Sequence, residues 1–219
     1  MTVKFVHIHI PKTAGTSVTA CMRDMFGNKR VAHFGRWQRV AIFRNMTRED
    51  LSAYRCIGGH IHYGEFLKKV GPRPLYFTIL REPIDRYISF YSDVYYRESH
   101  LLHEIARSMS AVEFLKDCIS KNFILPQTLY VSKKNSIASA LKLIRKKKII
   151  AQSLENHDKL LNFLADTAGK KVTILPRKNK SKRDLPVDLN VIEPLIREVF
   201  QDDFKLFDFV NSNENVLSS

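Results

Sequence analysis

Val3-Lys4-Phe5-Val6-His7-Ile8-His9-Ile10-Pro11-Lys12-Thr13-Ala14-Gly15-Thr16-Ser17-Val18 is the stretch on which the fold turns. Its first half is rich in β-branched residues and is closed by Pro11, the pattern of a buried strand. Beyond Ser17 the apolar period changes. Val18, Cys21, Met22, Met25 and Phe26 fall at i, i+3, i+4, i+7 and i+8, one face of a helix that Gly27-Asn28 ends. A strand, a tight loop and a helix therefore follow one another without a gap. The helix N-terminus turns unpaired N–H groups and the positive end of its dipole toward the loop, which makes residues 11–17 a natural anion site. Lys12 adds a full charge there, Thr13, Thr16 and Ser17 add hydroxyls, and Gly15 permits close approach of the backbone.

The same unit recurs downstream. Leu75-Tyr76-Phe77-Thr78-Ile79-Leu80 is a short apolar strand, Arg81-Glu82 follow it, and a helix begins at Pro83, a residue suited to a first helical position because its missing N–H would be unpaired anyway. Ile84, Tyr87, Ile88, Tyr91, Val94 and Tyr95 form its apolar stripe. Between the units, 55–59 suits another short strand running into a glycine turn. Residues 99–147 have helical patterning, 148–151 is a candidate strand, and 155–168 is amphipathic. The polar segment 177–183 is expected to be a loop. A last helix is expected over about 188–200, with a shorter one through Phe204, Phe207 and Phe209. Strands alternating with helices predict an α/β fold, a single domain over 1–219 with a mainly parallel central sheet flanked by helices.

Composition narrows the field. The chain has 219 residues with 44% hydrophobic content, enough for one well-filled domain and short for two. No apolar run approaches the roughly 18 residues of a membrane span, and the start lacks a signal-peptide pattern. The expectation is a soluble, cytoplasmic chain with no membrane span, or a Golgi-lumenal one if it is cut from a longer protein. Cys21, Cys56 and Cys118 are odd in number and without metal-type spacing, so they are expected as reduced core residues and no metal is expected. A net charge of +14 makes the surface attractive to polyanions, which leaves nucleotides, acidic glycans and nucleic acid open. The basic run Lys142, Arg145, Lys146, Lys147 and Lys148 comes without a recognised nucleic-acid motif, and no specific nucleic-acid partner is expected.

In the loop the lysine precedes the glycine, unlike the G-x-x-x-x-G-K-[ST] pattern of nucleotide triphosphatases. Pro-Lys-Thr-x-x-Thr-Ser resembles instead the 5′-phosphosulfate-binding loop of sulfotransferases that use PAPS (3′-phosphoadenosine 5′-phosphosulfate), closest to the carbohydrate branch that includes the heparan sulfate 2-O-sulfotransferases. The resemblance implies a P-loop-like nucleotide-binding architecture in which Lys12, Thr13, Ala14, Gly15, Thr16 and Ser17 hold the donor. Leu80-Arg81-Glu82-Pro83-Ile84-Asp85-Arg86-Tyr87-Ile88-Ser89 looks like the family's 3′-phosphate segment, which assigns Arg81 and Ser89 to that phosphate. Asn179-Lys180-Ser181-Lys182 resembles the late loop that covers the nucleotide. Asp202-Asp203-Phe204 resembles the terminal helix and is read as packing. The implied function is transfer of a sulfuryl group from PAPS to a hydroxyl, on a carbohydrate or a small molecule, with PAP, the desulfated nucleotide, as product. An ATP-dependent kinase and a basic nucleic-acid-binding module are the competing classes.

Transfer to an alcohol needs a group that stabilises the leaving oxygen, for which Lys12 is placed, and a general base. Among eight histidines, His7 and His9 share one face of the first strand and are read as core. His33, His100, His103 and His157 lie in no supporting motif. Gly58-Gly59-His60-Ile61-His62-Tyr63-Gly64 resembles the Gly-His segment that carries the catalytic histidine of the 2-O-sulfotransferases, with His60 at the matching position. His62 is the rival, and Glu65 and Glu82 are outside candidates because other carbohydrate sulfotransferases use a glutamate. The flanking glycines are read as room for a ligand.

Overall fold

The computed structural model describes residues 2–132, 136–172 and 185–212. Five strands, β1 (Phe5–Ile8), β2 (Val31–Phe34), β3 (Cys56–Gly59), β4 (Leu75–Leu80) and β5 (Ile150–Ser153), form one parallel sheet in the order β2-β3-β1-β4-β5. Around it lie α1 (Gly15–Phe26), α2 (Trp37–Asn45), α3 (Arg48–Ser52), α4 (Tyr63–Val70), α5 (Pro83–Tyr96), α6 (His103–Ser108), α7 (Ala111–Ser120), α8 (Gln127–Val131), α9 (Ile137–Arg145), α10 (His157–Ala168), α11 (Leu189–Val199) and α12 (Gln201–Ser212). Pro83 opens α5, and Gly27, at φ 82, closes α1.

A parallel sheet needs cover on both faces, and strand alternation supplies two apolar surfaces here. Val6, Ile8, Ile57, Tyr76, Leu80 and Ala151 pack on one side with Phe43, Leu51, Phe66, Ile144, Leu206 and Val210 from the helices. Phe5, Cys56, Phe77, Ile79 and Ile150 pack on the other with Val18, Met22, Leu160 and Leu164 of α1 and α10. A third cluster, built on Tyr87, Tyr91, Phe114, Ile192 and Ile196, joins α5, α7 and α11 beside the sheet. Cys21, Cys56 and Cys118 are all buried. No helix among the described residues is long and apolar enough to cross a membrane.

The elements expected at 75–80, 83–95 and 155–168 are present almost to the residue. Four others, β2 and α2–α4, lie where no element was expected. β2 is only four residues long and its two middle residues are half-exposed. α2 leaves Ile42 56% exposed while burying Phe43, so it shows no clear apolar stripe. The last helix is also longer than expected, at 12 residues against 11 for α11, and its 201–212 span reaches back into the sheet's core through Leu206 and Val210.

The chain leaves β1 toward β2 on one side and leaves β4 toward β5 on the other. The loops after β1 and β4 therefore diverge, opening a crevice at the carboxyl ends of two adjacent strands. In open parallel sheets that switch point is where ligands bind.

Candidate active site

The loop after β1 occupies that crevice. Lys12 and Ala14 both adopt left-handed backbone, at φ 71 and 61, and Ala14 is the residue that caps α1 without a side-chain bond. Holding two non-glycine residues there costs on the order of 1 kcal/mol each, and the surrounding structure must impose it. The Thr13 hydroxyl donates to the Ile10 carbonyl at 2.8 Å and is buried, so it closes the turn. Thr16 is exposed and Ser17 half-exposed at the opening of α1. The first intrahelical bond in this turn runs from Val18 N–H to Ala14, so the N–H groups of residues 15–17 open onto the crevice. Gly15 has a second reason to be glycine: a Cβ there would overlap the His9 imidazole.

Lys12 Nζ lies 3.3 Å from Asp93 Oδ2, and Arg97 meets the same oxygen at 3.1 Å. Burial lowers the Lys12 ammonium from its ordinary value, and Asp93 pulls it back up. Asp93 and Arg97 follow Ser89 at spacings of four along α5, a helical-face signal that the sequence carries. Ser89 itself is half-buried, two turns into that helix.

Arg81 follows the last residue of β4. Its Nη1 donates to the Lys12 carbonyl at 3.4 Å, and burial lowers its guanidinium from the ordinary value. Its backbone is held from both sides by Gln127, whose Oε1 accepts from Arg81 N–H at 3.0 Å and whose Nε2 donates to the Arg81 carbonyl at 2.7 Å. Arg86, buried one turn into α5, donates to the carbonyls of Pro11 at 3.2 Å and Leu125 at 2.8 Å. Its charge faces Asp203 at 3.8 Å, and Asp203 accepts from Gln127 N–H, Thr128 N–H and the Thr128 hydroxyl at 2.7–2.9 Å. Asp203, read from the sequence as packing, is thus a polar hub beneath the loop.

His60 follows β3 on the opposite side of β1, so the loop stands between it and Arg81. Its ring centroid is 4.5 Å from that of His9, and His9 Nδ1 is paired with His33 Nε2 at 2.8 Å. His7 continues the stack below His9. Burial first, then the charges of His33 and Arg86, lower His60 to about 4, so the ring is neutral near pH 7. His60 Nε2 is buried with no hydrogen-bond partner among the described residues; His7 Nε2, Asp117 Oδ2 and Gln152 Nε2 share that condition. Of these, His60 is the half-exposed histidine at the crevice end of a strand. Although four imidazoles meet here, no group of three or more His, Cys, Asp or Glu among the described residues is arranged to hold a metal ion.

His33, outside any motif in the sequence, belongs to this group. Its signal was the short run Val31-Ala32-His33-Phe34 ahead of Gly35. The glycines before His60 correct another expectation. A Cβ on Gly58 would press on His7, and one on Gly59 on Phe34, so these glycines admit neighbouring strands rather than a ligand. His62 caps α4 and sets its ring against Tyr130. Glu65 is paired with Arg44 at 2.7 Å, and Glu82 caps α5 by accepting from Asp85 N–H. Residues 179–182 lie outside the described residues, and with them Asn179, Lys180, Ser181 and Lys182.

A profile of the sulfotransferase family matches residues 2–123, which contain the loop, His60, Arg81 and Ser89. The chain belongs to the sulfotransferase family. Curated relatives include heparan sulfate 2-O-sulfotransferase 1 of Mus musculus, 30% identical over 98 residues covering 39% of this chain, and that of Cricetulus griseus, 29% identical over 101 residues covering 41%. The chain spans 28% of the length of each of these relatives. Two solved sulfotransferases share its fold. One, from Alicyclobacillus acidocaldarius, has a TM-score of 0.58 at 12% identity, with 95% of each chain covered. The other, mouse SULT7A1 complexed with PAP, has a TM-score of 0.53 at 14% identity, covering 98% of this chain and 88% of that one. The P-loop-like architecture expected of a sulfotransferase is therefore the one observed.

Proposed function

We propose that this sulfotransferase moves a sulfuryl group from PAPS to a hydroxyl of an acidic glycan, with His60 as general base. The observation that carries the reading is the lateral order at the carboxyl edge of the sheet. Arg81 follows β4, the Lys12 loop follows β1 and His60 follows β3, on three adjacent strands about 4.8 Å apart. A donor with a 3′-phosphate at one end and a 5′-phosphosulfate at the other needs an anion partner, then a second anion partner, then a base beyond the transferred group. The edge supplies them in that sequence.

PAPS supplies an activated sulfur–oxygen bond. Arg81, with a guanidinium matched to two phosphate oxygens, and Ser89 hold the 3′-phosphate. The N–H groups opening α1, with Thr16 and Ser17, hold the 5′ end, and Lys12 stabilises charge gathering on the bridging oxygen. The His60 imidazole, neutral and half-exposed at the crevice, accepts the proton as the acceptor oxygen bonds to sulfur. The S–O bond to phosphate breaks and its electron pair leaves with PAP. The net charge of +14 and the names of the curated relatives support an anionic glycan as acceptor.

The direct test is a transfer assay with sulfur-labelled PAPS against uronic-acid polysaccharides, neutral glycans and small alcohols, run beside thermal shifts with PAP and with ATP–Mg²⁺. The expected result is label on an acidic glycan and stabilisation by PAP without magnesium. Stabilisation by ATP–Mg²⁺ and not by PAP would overturn the donor assignment. Label on small alcohols alone would overturn the acceptor assignment.

A further inference from the structure

We propose that Gln127 is a positioning residue for nucleotide specificity: it locks the backbone of Arg81 so that the guanidinium discriminates ligands carrying a second phosphate. The inference rests on Arg81 as the partner of the 3′-phosphate. The ladder between β4 and β5 closes at Leu80 and Ser153, so Arg81 stands just beyond the last paired residue. Its N–H and C=O would there need new partners.

Gln127 provides both. Its side-chain amide presents a carbonyl to the Arg81 N–H and an NH₂ to the Arg81 carbonyl, which is what the peptide group of a neighbouring strand would do. Pinning both polar groups of one residue fixes its φ and ψ, and with them the direction in which its side chain leaves the backbone. Gln127 is fully buried, so the contact is shielded from water. Apolar packing alone would be met by a leucine or methionine; an amide with both ends matched is a requirement set by Arg81.

The lock is itself anchored. Gln127 N–H donates to Asp203 Oδ2 at 2.7 Å, and Asp203, 1% exposed, faces Arg86. Arg86 in turn donates to the carbonyl of Pro11, where the phosphosulfate loop begins. One buried carboxylate on α12 thus ties Arg81, through Gln127, to the Lys12 loop, through Arg86. This frame of buried side chains, together with the bond from Arg81 Nη1 to the Lys12 carbonyl at 3.4 Å, sets the spacing between the two anion partners. A nucleotide with phosphates at both 3′ and 5′ positions satisfies the two partners together, and one with only a 5′-phosphate leaves Arg81 unused.

The test compares PAP with 5′-AMP by calorimetry on the wild type, Gln127→Ala and Gln127→Glu, with ligand-free thermal transitions recorded for each. The wild type is expected to favour PAP by about 10- to 100-fold, the scale of a hydrogen bond to a charged group. Both variants are expected to lose most of that preference while keeping their 5′-AMP affinity. Gln127→Glu keeps the size of the side chain and sets a carboxylate oxygen against the Arg81 carbonyl, so it carries the test if the alanine variant does not fold. A preference unchanged in a folded variant, including one in which both affinities fall together, would overturn the proposal. A wild type that does not favour PAP would instead overturn the placement of the 3′-phosphate at Arg81, a distinguishable failure.

Discussion

Lys12 holds a left-handed backbone, and its ammonium rests 3.3 Å from the Asp93 carboxylate. That carboxylate balances the charge of the lysine and opposes any anion that would replace it. Asp93→Asn is therefore expected to tighten PAP binding by about 5-fold, the scale of a partly exposed ion pair. A calorimetric titration checks it, and weaker binding would mean that Asp93 aims Lys12 at the ligand instead. At this scale the sequence was informative where a candidate site residue comes at or soon after the end of an apolar strand, as Arg81, His60 and Lys12 do. It was silent on Gln127 and Asp203. Their partners lie 46 and 76 positions away in the chain, and no local pattern encodes a contact at that distance.

The strand–loop–helix units at 5–26 and 75–96 were legible because the apolar period changes sharply across each loop, from a continuous strand to a helical stripe. β2 was not, being four residues with a half-exposed centre. Its omission hid His33 and so the histidine group at the ends of β1, β2 and β3. That group sets a pH dependence. Burial lowers His7 to about 3 and His9 well below its ordinary value, and burial with nearby arginines lowers His33 to about 4. Folded-state values below the unfolded 6.5 mean that the unfolded chain binds the extra protons. The stability these histidines contribute is complete above pH 6.5 and is lost as pH falls through about 6.5 toward 4. His7 and His9, both buried, carry the largest share of that loss. Urea denaturation at pH 7, 6 and 5 should show stability falling across a range in which most carboxylates stay ionised. A flat response would mean that the rings are protonated in the folded protein.

Across the whole molecule, the α/β class followed from alternation of elements, but the strand order did not. Nothing in the local pattern says that β3 lies on one side of β1 and β4 on the other. That order brings three separate motifs, the proposed two anion partners and the proposed base, into one line. It also lets α12, the last element among the described residues, reach beneath the first loop through Asp203 and Arg86. The sharpest test of the line is His60→Ala, assayed for PAP affinity and for turnover of labelled PAPS with the best acceptor found. PAP affinity is expected to stay close to wild type and turnover to fall by roughly 100-fold or more, the scale of a lost general base. Near-normal turnover, or a loss of PAP binding as large as the loss of turnover, would contradict it.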